Sequence, residues 1–407
     1  MPEPVSQVRV LSGRRVTLGV TGSIAAYKAV ALVSALHQAG AIVDVAMTPD
    51  ARRFVQPLSF QAITHRPVFD DLWAPGMETD IAHVTLGRES HVIVVAPATA
   101  NILAKLAHGL ADDPVSVTAL AARCPVLVAP AMDAGMFTHP ATAANVAILR
   151  ERGVIVVDPE EGHLASGLSG LGRLAAPETI LDLTRAALGA SGDLAGRRVL
   201  VTAGGTREAI DPVRYIANHS SGKMGYALAE AARDRGAEVI LVTAPTGLRL
   251  PAGLRAVHVT SARHMLEAIR EHYPKLDALI MAAAVADFRV ESPPDQKIKR
   301  GEHGLDVRLV PNPDLLAETA ELSSDHGRPI RVGFAAETQD LLSHATEKLT
   351  RKSLDLIVAN DVSQDVFGAD SNQVTLLWSD GRRADFPRLP KAQVADQVLD
   401  ALSALLG

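Results

Sequence analysis

Two stretches in the first half of the chain place hydroxyls where an apolar run gives way to a helical pattern. One is Thr21-Gly22-Ser23-Ile24-Ala25-Ala26-Tyr27-Lys28, after Val16 to Val20, and the other is Ala96-Pro97-Ala98-Thr99-Ala100-Asn101, after Val92 to Val95. A helix start presents free backbone N–H groups and a positive dipole end, so both turns suit a phosphate. Each also reads as a plain N-cap, but two such turns in one domain tip the balance toward a phosphate site. The first turn lacks the three glycines of the dinucleotide fingerprint, which favours a mononucleotide such as FMN over NAD. His83, within Asp80-Ile81-Ala82-His83-Val84-Thr85-Leu86, reads by residue type alone as a packed or surface imidazole. Cys124, the single cysteine, lies in the apolar run Ala121 to Pro130 and reads as a buried structural thiol, which excludes a disulfide scaffold.

In the second half, Val199 to Thr202 runs into Ala203-Gly204-Gly205-Thr206 and on through Asp211 to Arg214. Asn218-His219-Ser220-Ser221-Gly222-Lys223-Met224-Gly225 then opens another helical pattern. The glycines let a backbone approach a phosphate, and Ser220, Ser221 and Lys223 add donors. This is not a Walker P-loop, because Ala217 stands at its first glycine and Met224 at its Ser or Thr, so a kinase or ordinary ATPase is disfavoured. Asp287 ends the buried run Ala282 to Ala286, where it suits Mg²⁺ bridging phosphates or, alternatively, a helix N-cap. Lys297 and Lys299 on a polar loop read as solvated side chains or as a cover for a charged substrate. Lys348 and Lys352 sit four apart on one helix face, a spacing that suits an anion between them.

The elements that must position these residues follow from the pattern. A chain of 407 residues exceeds the usual size of a single core and divides naturally into two domains. With 47% hydrophobic but only 3% aromatic residues, the core must consist of Val, Ile, Leu and Ala, which suits buried parallel strands covered by helices. Two doubly wound α/β domains are expected, 1–190 and 191–407. Strands are predicted over Val16 to Thr21, Ile42 to Thr48, Val92 to Ala96, Val126 to Ala129 and Val154 to Val157, with helices over Ile24 to Ala39 and Glu178 to Leu188. Gly189-Ala190-Ser191-Gly192-Asp193 reads as a flexible linker. Beyond it, strands are predicted over Val199 to Thr202, Val239 to Val242, Ala278 to Ala284, Arg331 to Phe334 and Leu356 to Ala359, with helices after Gly222, Ser261, Asn312 and Thr338. A late hairpin pairs Val374 to Trp378 with Ala384 to Phe386 around Ser379-Asp380-Gly381, and Glu291 to Asp306 reads as a mobile loop. The 40 basic and 46 acidic residues nearly balance, which argues against a nucleic-acid partner. Met1 to Gly13 lacks a signal-peptide core and no apolar run spans a bilayer, so a cytoplasmic protein with no membrane partner is expected.

Gly13 to about Ala190 resembles the homo-oligomeric flavin-containing cysteine decarboxylases. The likeness is carried by Gly22 to Lys28, Pro97-Ala98-Thr99-Ala100-Asn101, Pro130-Ala131-Met132-Asp133-Ala134-Gly135-Met136 and the glycine-rich loop Gly162 to Arg173. It implies a flavodoxin-like or Rossmann-like flavoprotein domain with FMN at Gly22, Ser23, Ile24, Thr48, Thr99 and Asn101. It also implies that His83 is the base assisting oxidation of the cysteinyl side chain, a task that suits an imidazole. Two positions depart from the family pattern. Asp133 replaces an Asn that contacts the substrate carboxylate, and a second carboxylate repels the first unless one is protonated or a cation intervenes. Ser166 replaces the Cys that supplies the final proton; a thiol titrates near ~8.5, and a serine hydroxyl is a far weaker acid. Ser166 then relays a proton through water, or another group donates, or the reductive step is lost.

Residues 191 to 407 look like a phosphopantothenoylcysteine synthetase domain. The match rests on Thr202 to Thr206, Asn218 to Gly225, Ala282 to Asp287, Lys297-Ile298-Lys299, Asn312-Pro313-Asp314 and Ala359-Asn360-Asp361. It implies a Rossmann-like ligase domain in which CTP activates 4'-phosphopantothenate for attack by cysteine. Carried over by motif, Asn218 and Arg214 handle the activated intermediate, Lys297 stabilises charge during acyl transfer, and Asp287 holds nucleotide or Mg²⁺. Ser220, Ser221, Gly222, Lys223, Met281, Ala282, Ala283, Asn312, Pro313, Asp314, Leu315, Phe334, Lys348 and Lys352 complete the nucleotide pocket. The domain order resembles the bifunctional enzymes of coenzyme A biosynthesis, which implies trimers of the flavin half linked by dimers of the ligase half. Two rival readings keep the ligase and make the first half an oxidative-only decarboxylase or a non-catalytic flavin-binding regulatory domain.

Overall fold

A computed structural model describes residues 8–73, 82–299, 305–322, 327–337, 341–361 and 369–407. Residues 1–7 of the N-terminal stretch, 300–304 of the Glu291 to Asp306 loop, and Thr338, after which a helix is predicted, lie outside the described residues. The chain forms two compact units, Met1–Gly189 and Ala190–Gly407.

In the first unit, β1 (Arg15–Val20), β2 (Ile42–Met47), β3 (Val68–Phe69), β4 (Val92–Ala98), β5 (Val126–Pro130) and β6 (Ile155–Val156) form one parallel sheet in the order 3-2-1-4-5-6. Between them run α1 (Tyr27–Gln38), α2 (Pro57–Thr64), α3 (Ala82–Glu89), α4 (Ala100–His108), α5 (Pro114–Leu120), α6 (Ala134–Phe137) and α7 (Pro140–Glu151). Successive strand side chains feed opposite cores: Val92 and Val94 pack with Leu18 and Leu127, whereas Ile93 and Val95 pack with Ile102 and Val128. Burial on both faces explains the unbroken apolar runs, and each fully buried Val or Leu contributes roughly 1.5–3 kcal/mol. The helix predicted from Ile24 opens as a single 3₁₀ turn, Ile24–Ala26, capped by Ser23. The glycine-rich segment is a hairpin rather than a loop, with β7 (Glu160–His163) antiparallel to β8 (Ser169–Arg173), before α8 (Pro177–Gly189) closes the unit.

The second unit repeats the plan. Strands β9 (Arg198–Ala203), β12 (Glu238–Thr243), β13 (Arg255–His258), β14 (Ala278–Met281), β17 (Ile330–Glu337) and β18 (Leu356–Asp361) lie parallel in the order 13-12-9-14-17-18. The late hairpin, β20 (Val374–Trp378) with β21 (Arg383–Asp385), extends the sheet antiparallel to β18, and Gly381 turns it at φ +89°. Short ribbons β10 (Arg207–Ala209) with β11 (Tyr215–Ala217), β15 (Phe288–Val290) with β16 (Leu309–Pro311), and β19 (Ser371–Asn372) with β22 (Leu389–Pro390) stand apart from the sheet. The helices are α9 (Lys223–Arg233), α10 (Ala262–His272), α11 (Leu315–Ala320), α12 (Leu341–Arg351) and α13 (Lys391–Leu406), the last of which the strand and helix pattern did not foretell.

Two expectations need correction. The strand predicted over Ala278 to Ala284 ends at Met281, because the next residues leave the ladder to bond the end of β9 and the loop after it: Ala283 N–H donates to Thr202 Oγ1 at 3.1 Å and Ala284 N–H to the Gly204 carbonyl at 2.8 Å. The supposed flexible linker is anchored at its far end. Asp193 forms an ion pair with Arg235, and Gly192 lies against the Arg235 backbone, where an added Cβ would stand 2.5 Å from its carbonyl oxygen.

Candidate active sites

Both sheets reverse their strand order at the middle, between β1 and β4 and between β9 and β14. Crevices at such switch points, outside the carboxyl ends of the strands, are where doubly wound sheets bind ligands. The singled-out motifs flank these two crevices.

In the first unit the buried Thr21 hydroxyl stitches the two turns together, donating to the Pro97 carbonyl at 2.6 Å and accepting from Thr99 N–H at 3.2 Å. Ser23 Oγ accepts from Ala25 N–H and Thr99 Oγ1 from Ile102 N–H, so both hydroxyls cap helix starts and keep their own protons available for donation. Thr48, at the end of β2, caps the neighbouring turn through Ala51 N–H. Gly22 lies so close to this turn that a Cβ would stand 2.5 Å from Asp50 Cβ. The convergence of Ser23, Thr48 and Thr99 around a side-chain-free Gly22, with exposed Asn101 in the first turn of α4, fits an anionic phosphate such as that of FMN.

His83 is half-buried near the start of α3. The far end of that helix is fixed at the amino end of β1, where Glu89 pairs with Arg15 and Ser90 Oγ meets Thr17 Oγ1 at 2.6 Å. Six residues of helix, about 9 Å, carry His83 back toward the carboxyl ends of the strands. It makes no hydrogen bond to Asp133 or Ser166.

Those two residues, by contrast, meet. Ser166 Oγ donates to Asp133 Oδ2 at 2.7 Å, and Gly135 N–H donates to Asp133 Oδ1 at 2.9 Å. Asp133 is thus the N-cap of α6, and the Ser166 hydroxyl, then the Gly135 N–H, hold its carboxyl below the usual carboxylate range. The β7–β8 hairpin that carries Ser166 crosses this segment closely. Met132 N–H donates to the Gly172 carbonyl at 3.0 Å, and a Cβ on Gly172 would stand 2.2 Å from the Met132 carbonyl oxygen. Only glycine fits there. Lys28, from the first motif, reaches the Leu174 carbonyl beyond the hairpin, and burial followed by the nearby Arg173 charge pushes its amine down.

In the second unit the loops after β9 and β14 are laced together. Thr206 N–H donates to the Ala284 carbonyl, Ala286 N–H donates to Thr206 Oγ1 at 2.9 Å, and Asn218 Nδ2 donates to the Val285 carbonyl at 3.0 Å. Gly222 begins α9 at φ +76°, with Ser220 Oγ accepting its N–H and Ser221 Oγ accepting that of Lys223. Lys223 itself is drawn to Asp370, with Nζ 2.6 Å from Oδ1, rather than lying over the glycines.

Phe334 follows Gly333, which pairs with Met281, so Met281, Ala282, Ala283 and Phe334 share one sheet edge. Lys348 Nζ donates to the Phe334 carbonyl at 2.8 Å, and Lys352 pairs with Asp314, the N-cap of α11. The two lysines take different hydrogen-bond partners, while the charges of both act on the Asp314 carboxylate. Burial would raise the Asp314 carboxyl, but the Lys352 hydrogen bond, the Ala317 N–H and the charges of Lys352 and Lys348 together lower it. Asn312 binds the preceding loop through Nδ2 to the Ala286 carbonyl and through N–H to the Asp287 carbonyl, both at 2.8 Å, while its buried Oδ1 has no hydrogen-bond partner. Pro313 and Leu315 flank Asp314 at the start of α11. Asp287 is exposed, and the described residues contain no group of three or more His, Cys, Asp or Glu suited to a metal. A lone carboxylate fits Mg²⁺ carried mainly by phosphates.

Two residues outside the sequence reading organise this site. Asp211 fixes the turn that carries Arg214. Arg331, fully buried at the start of β17, donates to the Lys352 carbonyl at 2.8 Å, to Ser353 at 3.1 Å, to Thr319 Oγ1 at 3.1 Å and to the Leu316 carbonyl. It thereby ties the end of α12, with Ser353 in the left-handed region at φ +49°, to α11. An arginine in an apolar strand carries no local signal of such a role.

The family described as Flavoprotein matches residues 4–189, and the DNA/pantothenate metabolism flavoprotein C-terminal domain matches residues 194–406. The chain is similar to the coenzyme A biosynthesis bifunctional protein CoaBC of Bacillus subtilis, 46% identical over 401 residues, 97% of this chain and 98% of that protein. The protein of the same name from Mycobacterium tuberculosis is 46% identical over 409 residues, 97% of each chain. Among solved structures, the C-terminal domain of a coenzyme A biosynthesis bifunctional protein CoaBC is 41% identical, covering 53% of this chain and 98% of that one with a TM-score of 0.45.

Proposed function

Because the chain belongs to the family of bifunctional coenzyme A biosynthesis proteins, an enzyme family with decarboxylase and ligase activities, we propose how its two units divide and perform that work. Residues 191–407 ligate cysteine to 4'-phosphopantothenate, and residues 1–190 decarboxylate the product to 4'-phosphopantetheine. The observation that carries this reading is that each unit gathers its motif residues at a sheet switch point.

In the ligase unit a carboxylate oxygen of 4'-phosphopantothenate attacks the α-phosphate of CTP and pyrophosphate leaves. The cysteine amine then attacks the acyl-cytidylate carbonyl, releasing CMP. Met281 to Ala283, Phe334, Lys348 and Lys352 hold the nucleotide, with Asn312 to Leu315 closing one side. Gly222 and the Ser220 and Ser221 hydroxyls approach phosphates, and Asp287 completes a Mg²⁺ site on them. Lys223 joins them only by leaving Asp370. Asn218 and Arg214 hold the activated acyl group, and Lys297 opposes the charge that develops as it is made and broken.

In the decarboxylase unit Ser23, Thr48, Thr99 and Asn101, with Gly22 and Ile24 at the turn, bind the FMN phosphate. When bound, FMN supplies a hydride acceptor for the cysteinyl side-chain carbon and later a hydride donor. His83 takes the proton released in the oxidation, carbon dioxide then leaves, and Ser166, held by Asp133, relays the last proton from water. The same contact favours a second reading: Ser166 spends its only proton on Asp133, which suits an oxidative-only unit that releases an enethiol.

The enzyme works in the cytoplasm as a homo-oligomer, flavin-unit trimers joined through ligase-unit dimers. Exposed Val213, Tyr215, Phe288 and Leu309 on the second unit's ribbons, and Met136 and Leu168 beside the Asp133 segment, are apolar faces consistent with such contacts. The purified chain, given 4'-phosphopantothenate, cysteine and CTP, is expected to release carbon dioxide and 4'-phosphopantetheine. Lys297→Gln should slow ligation by roughly 10²-fold, the scale of losing one charge-stabilising donor. An unchanged rate removes Lys297 from the mechanism.

A further inference from the structure

Asp211 is 2% exposed and stands in the turn between β10 and β11 that carries Arg214. Both of its oxygens are engaged. Oδ1 accepts from Val213 N–H and Arg214 N–H, each at 2.8 Å, which closes the turn. Oδ2 accepts from the Arg214 guanidinium at 3.1 Å and from Ile298 N–H, 87 residues away, at 3.2 Å. Arg214 completes the clasp by donating to the Ile298 carbonyl at 3.3 Å.

The backbone of the residue next to Lys297 is therefore held on both its N–H and its C=O, while Lys297 itself remains exposed. Segments 292–299 belong to no strand or helix, so nothing in a ladder fixes their position. Burial would raise the Asp211 carboxyl, but the Val213, Arg214 and Ile298 N–H groups outweigh it and hold it below the usual range. An ionised carboxylate, unlike an amide, accepts from all four donors at once.

We propose that Asp211 is a positioning residue for ligation: its buried carboxylate clasps Ile298 and Arg214 so that the Lys297 ammonium is delivered to the reacting acyl group. This rests on the ligase reading of the second unit and on the charge-stabilising role of Lys297. Asp211 touches neither substrate nor nucleotide and acts through the geometry of the segment it holds. Asparagine at 211 keeps one acceptor for the turn but presents an N–H₂ where Ile298 and Arg214 need an acceptor.

The test uses the full chain. Asp211→Asn is expected to lower kcat for CTP-dependent ligation by about tenfold or more, as misplacing a catalytic group does, while KM for CTP stays within about twofold. In a Lys297→Gln background the same substitution should cost several-fold less than in the parent, because the lysine it positions is gone and only the Arg214 turn is left to disturb. Hydrogen exchange should rise at 296–299 and stay unchanged in β9 and β14. Equal losses in both backgrounds, or unchanged kcat with Asp211→Asn, overturn the proposal. If Asp211→Asn does not fold, Ile298→Pro, which removes the N–H donated to Asp211 and leaves the Val213 and Arg214 contacts that close the turn, decides by the same two measurements. If Lys297→Gln is itself without effect, the reading of Lys297 fails, a result distinct from failure of the clasp.

Discussion

Asp133 and Ser166 read separately in the sequence as two departures from one motif set. Together they form one hydrogen-bonded pair, and that changes what each can do. The Asp133 carboxylate accepts from a hydroxyl and a backbone N–H, which favour its ionised form and tie the start of α6 to the hairpin; neither donor is a cation, so the repulsion of a substrate carboxylate stands. A carboxyl lowered in the folded state contributes above its unfolded pKa and loses that contribution as pH falls through the folded value. Ser166→Ala removes the hydroxyl that does most to lower Asp133, which should then titrate closer to an ordinary aspartate, measurable by carboxyl NMR. The same variant is expected to slow product formation by roughly 10²-fold and to accumulate enethiol, whereas Ser166→Cys, with an acidic thiol, should form product without that accumulation. If Ser166→Ala yields product at the parent rate, the proton comes from elsewhere. His83→Ala should slow carbon dioxide release by a similar roughly 10²-fold, and an unchanged rate assigns the base to another group.

At the scale of elements, the proposed nucleotide side of the second site depends on two helix ends held by one buried cation. Arg331 joins the Leu316 and Thr319 acceptors near α11 to the Lys352 and Ser353 carbonyls that end α12, and these helices bring Asp314 and Lys352 together. Arg331→Met fills similar space but removes these donors; the Ser353 carbonyl keeps Arg328 and the Leu316 carbonyl keeps Thr319, whereas the Lys352 carbonyl and Thr319 Oγ1 lose the guanidinium, at about 1–3 kcal/mol for each acceptor left buried without a partner. The expected outcome is a lower melting temperature for the second unit, read by calorimetry, together with weaker CTP binding by titration. A variant as stable as the parent shows that water replaces the guanidinium. Helix periodicity made α12 legible, and with it the shared face of Lys348 and Lys352. It could not show that the Phe334 carbonyl and Asp314 would each take one of them, since those partners come from other strands and helices.

At the scale of the whole molecule, the boundary region shows how a composition signal misleads. Gly189 to Asp193 has the small residues of a linker, yet the Arg235 hydrogen bond draws the Asp193 carboxyl down to about 2, and Arg235 also meets Asp400 at 2.9 Å on α13. With an unfolded pKa near ~3.9, this depressed carboxyl should contribute fully above about pH 4 and lose its contribution as pH falls toward about 2. Asp193→Asn should accordingly lower the melting temperature of the second unit at pH 7, and the difference from the parent should shrink as the pH is taken from 4 to below about 2; a difference independent of pH refutes the ion pair. The sequence by itself determined the central strands β1, β2, β4, β5, β9, β12, β17 and β18, because burial on both faces demands unbroken apolar runs, and the hydroxyl-bearing turns, because capping is a local event within four residues. It also carried the family, through motifs contiguous in the chain. Only the tertiary structure decided the pairings of Asp133 with Ser166 and Asp211 with Ile298, 33 and 87 residues apart. A polar side chain's partner is set by which loops the sheet order brings to one edge, and no periodicity in the chain encodes that distance.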